Sequence, residues 1–271
     1  MSKPKGTAYT FAFAAGLCLV CSLILAVAAT ALKPRQDQAV KLDIAVNLLT
    51  SVGHNAADLK AKKPAEVFEI YADEFEILLL DTNNKETDRA MMEKDLIALG
   101  YPEADVKEWD SYNLLTHFND KVGLLAKRAG KSREEYDPKL KVLYRHVPAG
   151  NLNAYVIPIM GYGLWDLIKG YVALDLDLNT VKGISFYENK ETPGLGARIT
   201  EDWFKANYVG KKVLDESGAL TSVTIVKGEA PDDDIHAVDG ISGATLTCQG
   251  INQFLLSDLE RYEPYFKTLR K

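Results

Sequence analysis

Cysteine is scarce in this chain, with three in 271 residues, and two of them, Cys18 and Cys21, fall inside an apolar N-terminal run. The polar remainder holds Cys248 alone, which excludes an internal disulfide there and any iron–sulfur centre held by the chain's own thiolates. The C-x-x-C spacing of Cys18 and Cys21 is read as incidental, because the residues before them do not form a lipoprotein attachment site. Histidine is almost as sparse. His54, His117, His146 and His236 stand far apart without metal-ligand spacing, so no protein-bound metal is expected. An excess of positive charge is also lacking: with a formal net charge of -6 and no clustered Lys or Arg, the chain offers no general nucleic-acid surface. Internal repeats and low-complexity segments are absent too.

Charge is missing altogether from Gly6 to Leu32. At ~1.5 Å per helical residue this run is long enough to cross a hydrocarbon core. Ala29-Thr30-Ala31 offers the small-residue pattern of a cleaved signal peptide behind Lys3 and Lys5, but the run exceeds a usual signal core, so a retained anchor is expected. Lys3 and Lys5 on one side nearly cancel Lys33 and Arg35 on the other, and the positive-inside rule leaves the orientation open.

The remainder is long enough for one sizeable domain. Val40, Ile44, Leu48 and Val52 recur at helical spacing, which predicts an amphipathic stalk helix. Phe75 to Leu80 reads as a buried strand before the turn residues Asp81 to Asn84. From Lys85 to about 139 the chain is charged and weakly periodic, with short helical pieces such as Met91 to Leu99, and reads as a polar insertion. Val142 to Val147, Ala154 to Ile159, Gly170 to Leu178 and Val181 to Tyr187 predict a sheet, with Asn179-Thr180 as a tight hairpin connection and Ser222 to Lys227 as a further strand. Ile251, Phe254, Leu255, Leu259 and Tyr262 share one face of a final helix. The class is α+β. The expected segments are a tip at 1–7, a transmembrane helix at 8–32, a stalk at 33–60, and a domain at 61–271 carrying the insertion at about 85–139.

The strongest chemical feature is Asp239-Gly240-Ile241-Ser242-Gly243-Ala244-Thr245, immediately before the final helix. Ser242 can cap orphan amides, Gly243 and Ala244 leave the backbone uncovered, and Thr245 is expected in the first turn, where a helix favours an anion. An ordinary Ser cap fits the same letters. A second feature is Glu191-Thr192-Pro193-Gly194-Leu195-Gly196-Ala197-Arg198, whose proline stiffens a turn while its glycines permit close ligand approach. A plain turn remains the other reading. Neither this loop nor Gly161-Tyr162-Gly163-Leu164-Trp165 completes a G-x-G-x-x-G dinucleotide fingerprint, so NADH is not expected to bind here.

The D-x-x-S-G-A-T letters resemble the flavinylation motif of FMN-binding domains, in which the closing Thr accepts FMN through a phosphoester bond. The stretch from Gly161 to Ile199, GYGLWDLIKGYVALDLDLNTVKGISFYENKETPGLGARI, is similar to the C subunit of sodium-translocating NADH:quinone oxidoreductases, and the Rnf complex has a related G subunit. The resemblance is densest from about 161 to 250; the anchor and stalk match in layout, and the 85–139 segment departs from the pattern. It implies an N-terminal transmembrane helix followed by an FMN-binding domain of mainly antiparallel sheet with flanking helices. It also implies a covalent FMN on Thr245, a phosphate site shaped by Ser242, Gly243 and Ala244, a flavin approached by Thr192, Gly194 and Leu195 and lined by Gly163 and Trp165, and Arg198 as a charge-balancing candidate.

Further implications are single-electron relay between partner subunits, no catalytic residue or complete reaction of its own, maturation by a flavin transferase, and a single-pass position in a bacterial inner membrane with a periplasmic flavin domain. The Rnf-type G subunit, working with ferredoxin, is the neighbouring alternative. A serine hydrolase is a more distant one, since Gly240 to Ala244 is one residue short of a G-x-S-x-G elbow, and no histidine follows Ser242 in the chain.

Overall fold

The computed structural model describes residues 6–109, 111–132 and 140–270, and the chain divides into two units, Met1–Asp43 and Ile44–Lys271. Helix α1 (Thr7–Ser51) runs through both as one helix, so the apolar run and the amphipathic segment are continuous, and the predicted stalk helix ends at Ser51. In the first unit its large apolar side chains are exposed, and its most apolar window has a mean hydropathy of 2.6 with none of it buried. This helix is long and apolar enough to cross a membrane. Its hydroxyls bond to their own backbone, Ser22 Oγ to Leu19 O at 3.0 Å and Thr30 Oγ1 to Ala26 O at 2.9 Å, as groups denied water must.

The second unit buries the end of α1 through Ala45, Val46, Leu48 and Leu49, with Val52 just after it. Short helices α2 (Ala56–Ala61) and α3 (Pro64–Glu74) lead into strand β1 (Phe75–Leu80), followed by β2 (Glu86–Thr87). Helices α4 (Arg89–Ala98), α5 (Glu103–Glu108) and α6 (Ser111–Arg128) fill the polar insertion. Its weak periodicity conceals a small core, since Leu114, Phe118, Val122 and Ala126 of α6 are buried at four-residue spacing together with Met92, Leu96 and Val106. Strands β3 (Lys141–His146), β4 (Ala154–Tyr162), β5 (Leu167–Leu174) and β6 (Val181–Glu188) complete a six-stranded antiparallel sheet in the order β2-β1-β3-β4-β5-β6.

After the short helix α7 (Asp202–Ala206), strands β7 (Thr224–Ile225) and β8 (Ala237–Val238) pair in parallel outside that sheet. The strand predicted over Ser222 to Lys227 is therefore shorter and belongs elsewhere. Ser222 has a φ of 66°, which breaks the extended run at its start. The β5–β6 connection is also longer than the predicted two-residue turn: Asp175 N bonds to Thr180 O at 2.8 Å, and Leu178, buried at φ 54°, reverses the chain between them.

Helix α8 (Thr245–Leu269) lies on β4 and presents Ile251, Phe254, Leu255, Leu259, Tyr262 and Phe266 to the core. A Cβ placed on Gly161 would fall 2.3 Å from Phe254 Cβ, so only glycine admits the helix at that height. Polar side chains of α8 also finish the sheet where β3 stops pairing with β4. Asp258 Oδ2 accepts the Met160 N–H at 2.7 Å, Tyr262 Oη donates to Val142 O at 2.6 Å, and Lys141 Nζ donates back to Arg261 O at 2.8 Å. Pro158, lacking an N–H, sits in β4 beside this gap, where no ladder bond is asked of it.

In the β5–β6 connection, burial works to raise the Asp177 carboxyl. It is outweighed by hydrogen bonds from the Thr180 hydroxyl and the Thr180 and Asn179 amides and by the charge of Lys212, which together bring the pKa down to about 2. A folded value below the unfolded one adds stability above the ordinary carboxyl range, lost as pH falls from about 4 towards 2. Asp177→Asn should therefore lower the urea midpoint near neutral pH, and the difference from wild type should close under strong acid. Parallel acid limbs for the two proteins would count against this role.

Candidate functional site

The residues before α8 divide by burial. Ile241, Ala244 and Cys248 point inward, which leaves Ser242, Gly243 and Thr245 facing out. Ala244 N bonds to Ile241 O at 3.0 Å, and Gly243 at φ 76° occupies the third position of that turn, where a positive φ is needed. The helix cap is Ala244, and no side chain caps it. The expected Ser242 cap is thus not formed, because Ser242 lies two residues before the cap position, in the turn itself. A 25-residue helix therefore opens with first-turn amides that no side chain caps and with an exposed Thr245, an arrangement that attracts an anion.

Beside it is a cleft of 710 Å³ walled by residues 225–229, residues 239–243, Trp203, Thr245, Cys248 and Gln249. Lys227 brings positive charge to this lining, beside the carboxylates of Glu229 and Asp239. Both walls are pinned. Asp239 Oδ1 accepts the Ala230 N–H at 2.8 Å, Gly240 N donates to Gly228 O at 2.7 Å, and a Cβ on Gly240 would stand 2.1 Å from Val226 O. Asn252 of α8 completes the edge of β7, accepting from Ile225 N at 2.7 Å and donating to Ile225 O at 3.0 Å. Burial pushes the Cys248 thiol up, against the effect of backbone hydrogen bonds at Ile241 and Cys248, and so keeps it protonated in the cleft wall.

The Pro-Gly loop forms a second turn of the same kind. Leu195 N bonds to Thr192 O at 3.0 Å around Pro193 and Gly194, whose φ is 77°. No atom lies within 4 Å of a Cβ built on Gly194, so the turn rather than a crowded neighbour requires this glycine. The exposed Leu195 reaches the first turn, its Cδ2 only 2.9 Å from where a Gly243 Cβ would sit. Two turns remote in sequence are therefore in contact.

Glu191 joins them. Only 5% exposed, its carboxylate accepts the Thr247 hydroxyl at 2.6 Å and the Trp165 N–H at 3.0 Å. A Cβ on Gly163 would meet Glu191 Oε1 at 2.5 Å, and one on Gly196 would meet Thr247 Oγ1 at 2.6 Å, so both glycines make room for this carboxylate. Lys190, bonded to Asp166, closes the same junction from outside and lowers the Asp166 carboxyl, chiefly through that hydrogen bond. The hairpin loop, the Pro-Gly turn and the start of α8 are thus held as one piece.

Of the residues singled out in the sequence, Ser242, Gly243 and Thr245 line the cleft, while Ala244 is buried beneath it. Leu195 touches them, with Thr192 and Gly194 in its turn; Gly163 and Trp165 connect through Glu191 and lie outside the cleft lining. Trp165 is 67% exposed and Leu195 41%, leaving an uncovered apolar rim. Arg198 is taken up by Glu201 at 3.1 Å and stacks 5.0 Å over the Trp203 ring. Sequence reasoning missed Glu191, Thr247, Lys227 and Asn252 as parts of the site. Position at the head of the Pro-Gly loop was the single available signal for Glu191, and the other three had none. His236, the nearest histidine to Ser242 in sequence, does not line the cleft that Ser242 faces, and its Nδ1 lies 2.8 Å from Lys212 O.

Residues 163–257 match the family model of the FMN-binding domain. The chain is 34% identical over 258 residues to the C subunit of the Na(+)-translocating NADH-quinone reductase of Yersinia pestis, covering 94% of this chain and 90% of that one. Against the corresponding C subunit of Pseudomonas aeruginosa the identity is 32% over 277 residues, covering 100% and 99%. Among solved structures, the C subunit from Parabacteroides distasonis superposes with a TM-score of 0.61 at 26% identity, covering 86% of this chain and 96% of that one. Shewanella oneidensis NqrC gives 0.60 at 26% identity, covering 83% and 94%.

The Glu191 junction can be tested apart from any ligand. Thr247→Val leaves a buried carboxylate oxygen without its donor and should lower the unfolding free energy by about 1–3 kcal/mol. Gly196→Ala should cost about as much through crowding. Urea midpoints unchanged in both variants would mean that the junction does not hold the three segments.

Proposed function

The chain belongs to the family of C subunits of the Na(+)-translocating NADH-quinone reductase, and from that premise we propose that its FMN is carried as a phosphoester of Thr245 and relays single electrons between redox centres of partner subunits. The observation that carries the attachment site is the exposed Thr245 in the uncapped first turn of α8, at the edge of the cleft. Threonine supplies the oxygen that such an ester needs. The free amides of the helix start and Lys227 offset phosphate charge, and the glycine and alanine before Thr245 keep bulk away from it.

When bound, FMN supplies a carrier able to take up and release one electron at a time. The chain's own residues bind and orient. Ser242, Gly243 and Ala244 shape the phosphate end; Thr192, Gly194, Leu195, Gly163 and Trp165 surround the ring on the apolar rim, and the Glu191 junction fixes these groups relative to Thr245. A flavin transferase with magnesium would supply the FMN moiety from FAD with AMP as the leaving group, and Thr245 would supply the hydroxyl oxygen that holds it. One helix among the described residues is long and apolar enough to span a membrane, which fits an anchor. We place the spanning part at 8–32, the stalk at 33–60 and the flavin domain at 61–271, on the periplasmic face of a bacterial inner membrane.

Thr245→Ala, co-expressed with the transferase, should yield a folded and colourless protein, whereas Ser242→Ala, which removes no cap, should keep its flavin. Intact mass and in-gel flavin fluorescence of the denatured chain read both. Covalent flavin retained in Thr245→Ala would refute the site, and fluorophosphonate labelling of Ser242 in a colourless wild type would favour a hydrolase. A fragment of residues 33–271 should remain soluble without detergent. Aggregation of that fragment would point to a second membrane-facing surface.

A further inference from the structure

Two of the histidines expected to stand apart are brought together in the fold. His54, just after α1, and His146, the last residue of β3, both direct Nε2 to one oxygen of Glu74, at 2.7 Å and 3.0 Å. The three donor atoms lie within 4.8 Å of one another, and this is the group of such ligands found together among the described residues. We propose that His54, Glu74 and His146 form a binding site for a divalent transition-metal ion such as Zn²⁺, which fastens the segment after α1 to the sheet.

The donor set is the chemistry of such an ion: two imidazole nitrogens and one carboxylate oxygen, with a fourth position left for water. Ligands around a tetrahedral ion with bonds of about 2.0–2.1 Å are spaced about 3.3 Å apart. Both nitrogen–oxygen separations, 2.7 and 3.0 Å, are shorter than that value and would open by roughly half an ångström or less on average, while the histidines need to close by on the order of 1 Å. His54 can make that adjustment, with a side chain 31% exposed, whereas His146 at 4% is fixed.

The fixed part of the site is well supported. Glu74 ends α3 immediately before β1, and its carbonyl accepts the Val147 N–H at 2.7 Å, so its backbone is tied to the end of β3. Phe75 pairs in register with His146 and packs its ring 5.1 Å from the imidazole, an apolar wall on one side. The Asn153 amide lies 3.2 Å from His146 Nδ1. Its oxygen accepts from Lys182 Nζ at 3.4 Å, so the amide is held between that cation and the imidazole and steadies the ring. With Glu74 about one-fifth exposed, the ion has a route in and water a place to complete its shell.

Zinc sulfate titrated by calorimetry into the full, tag-free chain in detergent, after EDTA treatment and dialysis, tests the site. One Zn²⁺ should bind per chain and raise the thermal midpoint. His54→Ala and Glu74→Gln should each weaken binding by about tenfold or more. Circular dichroism and flavin fluorescence matching wild type would establish that the variants are folded, with His54→Ala decisive because its side chain is the most exposed of the three. Absence of saturable one-to-one binding, or equal affinity in folded His54→Ala and wild type, would overturn the proposal and leave the trio as a hydrogen-bonded clamp. The Thr245 attachment stands or falls separately, since its flavin readout involves none of these residues.

Discussion

Everything at the site depends on how α8 is seated in the sheet. Strands β3 and β4 separate after a short stretch of pairing, and the polar groups exposed there are met by Asp258, Tyr262 and the Arg261 carbonyl. A buried N–H or carbonyl left alone would cost about 1–3 kcal/mol, so the helix is held in register along its axis as well as packed. Apolar contacts alone would allow it to slide. With Asp258 on Met160, the start of the helix falls beside β7, where Asn252 closes the strand edge and Thr245 comes to the cleft.

The Glu191 junction makes a complementary constraint across the chain rather than along it. Burying a carboxylate is costly unless its oxygens are hydrogen-bonded, and here both donors are neutral, a hydroxyl and a peptide N–H. Such a group tolerates little displacement. It holds the loop after β4, the turn after β6 and the first turn of α8 at fixed separations, and the glycines at 163 and 196 exist in this sense for the carboxylate. The apolar rim stands on a rigid base even though its side chains are exposed.

The strands β1 and β3 to β6 and the inward face of α8 were legible in the sequence because alternation and 3.6-residue spacing are local properties. That Pro193-Gly194 makes a turn was legible for the same reason, whereas the reason for Gly194, its positive φ, came only from the structure. What lay beyond reach was long-range: Glu191 with Thr247, Asn252 with Ile225, and His54 with Glu74 and His146 are pairings between distant segments that carry no common spacing. Helix α6 was obscured by the polar residues between its apolar ones, although Leu114, Phe118, Val122 and Ala126 are buried at a regular interval. The Ser242 cap failed for a different reason, since the letters allow two placements of the helix start, and the turn at Gly243 selects the later one.

The position of α8 in the chain bears on how the protein is made. The sheet is ordered almost as its strands are synthesised, so most of it can form while the chain is still emerging. Its closing helix follows every strand in the chain, and until that segment has left the ribosome and found its seat, Thr245 belongs to no helix terminus and faces no cleft. The cleft is thus a late product of folding, since its wall at the start of α8 takes shape only on a sheet whose strands all precede it.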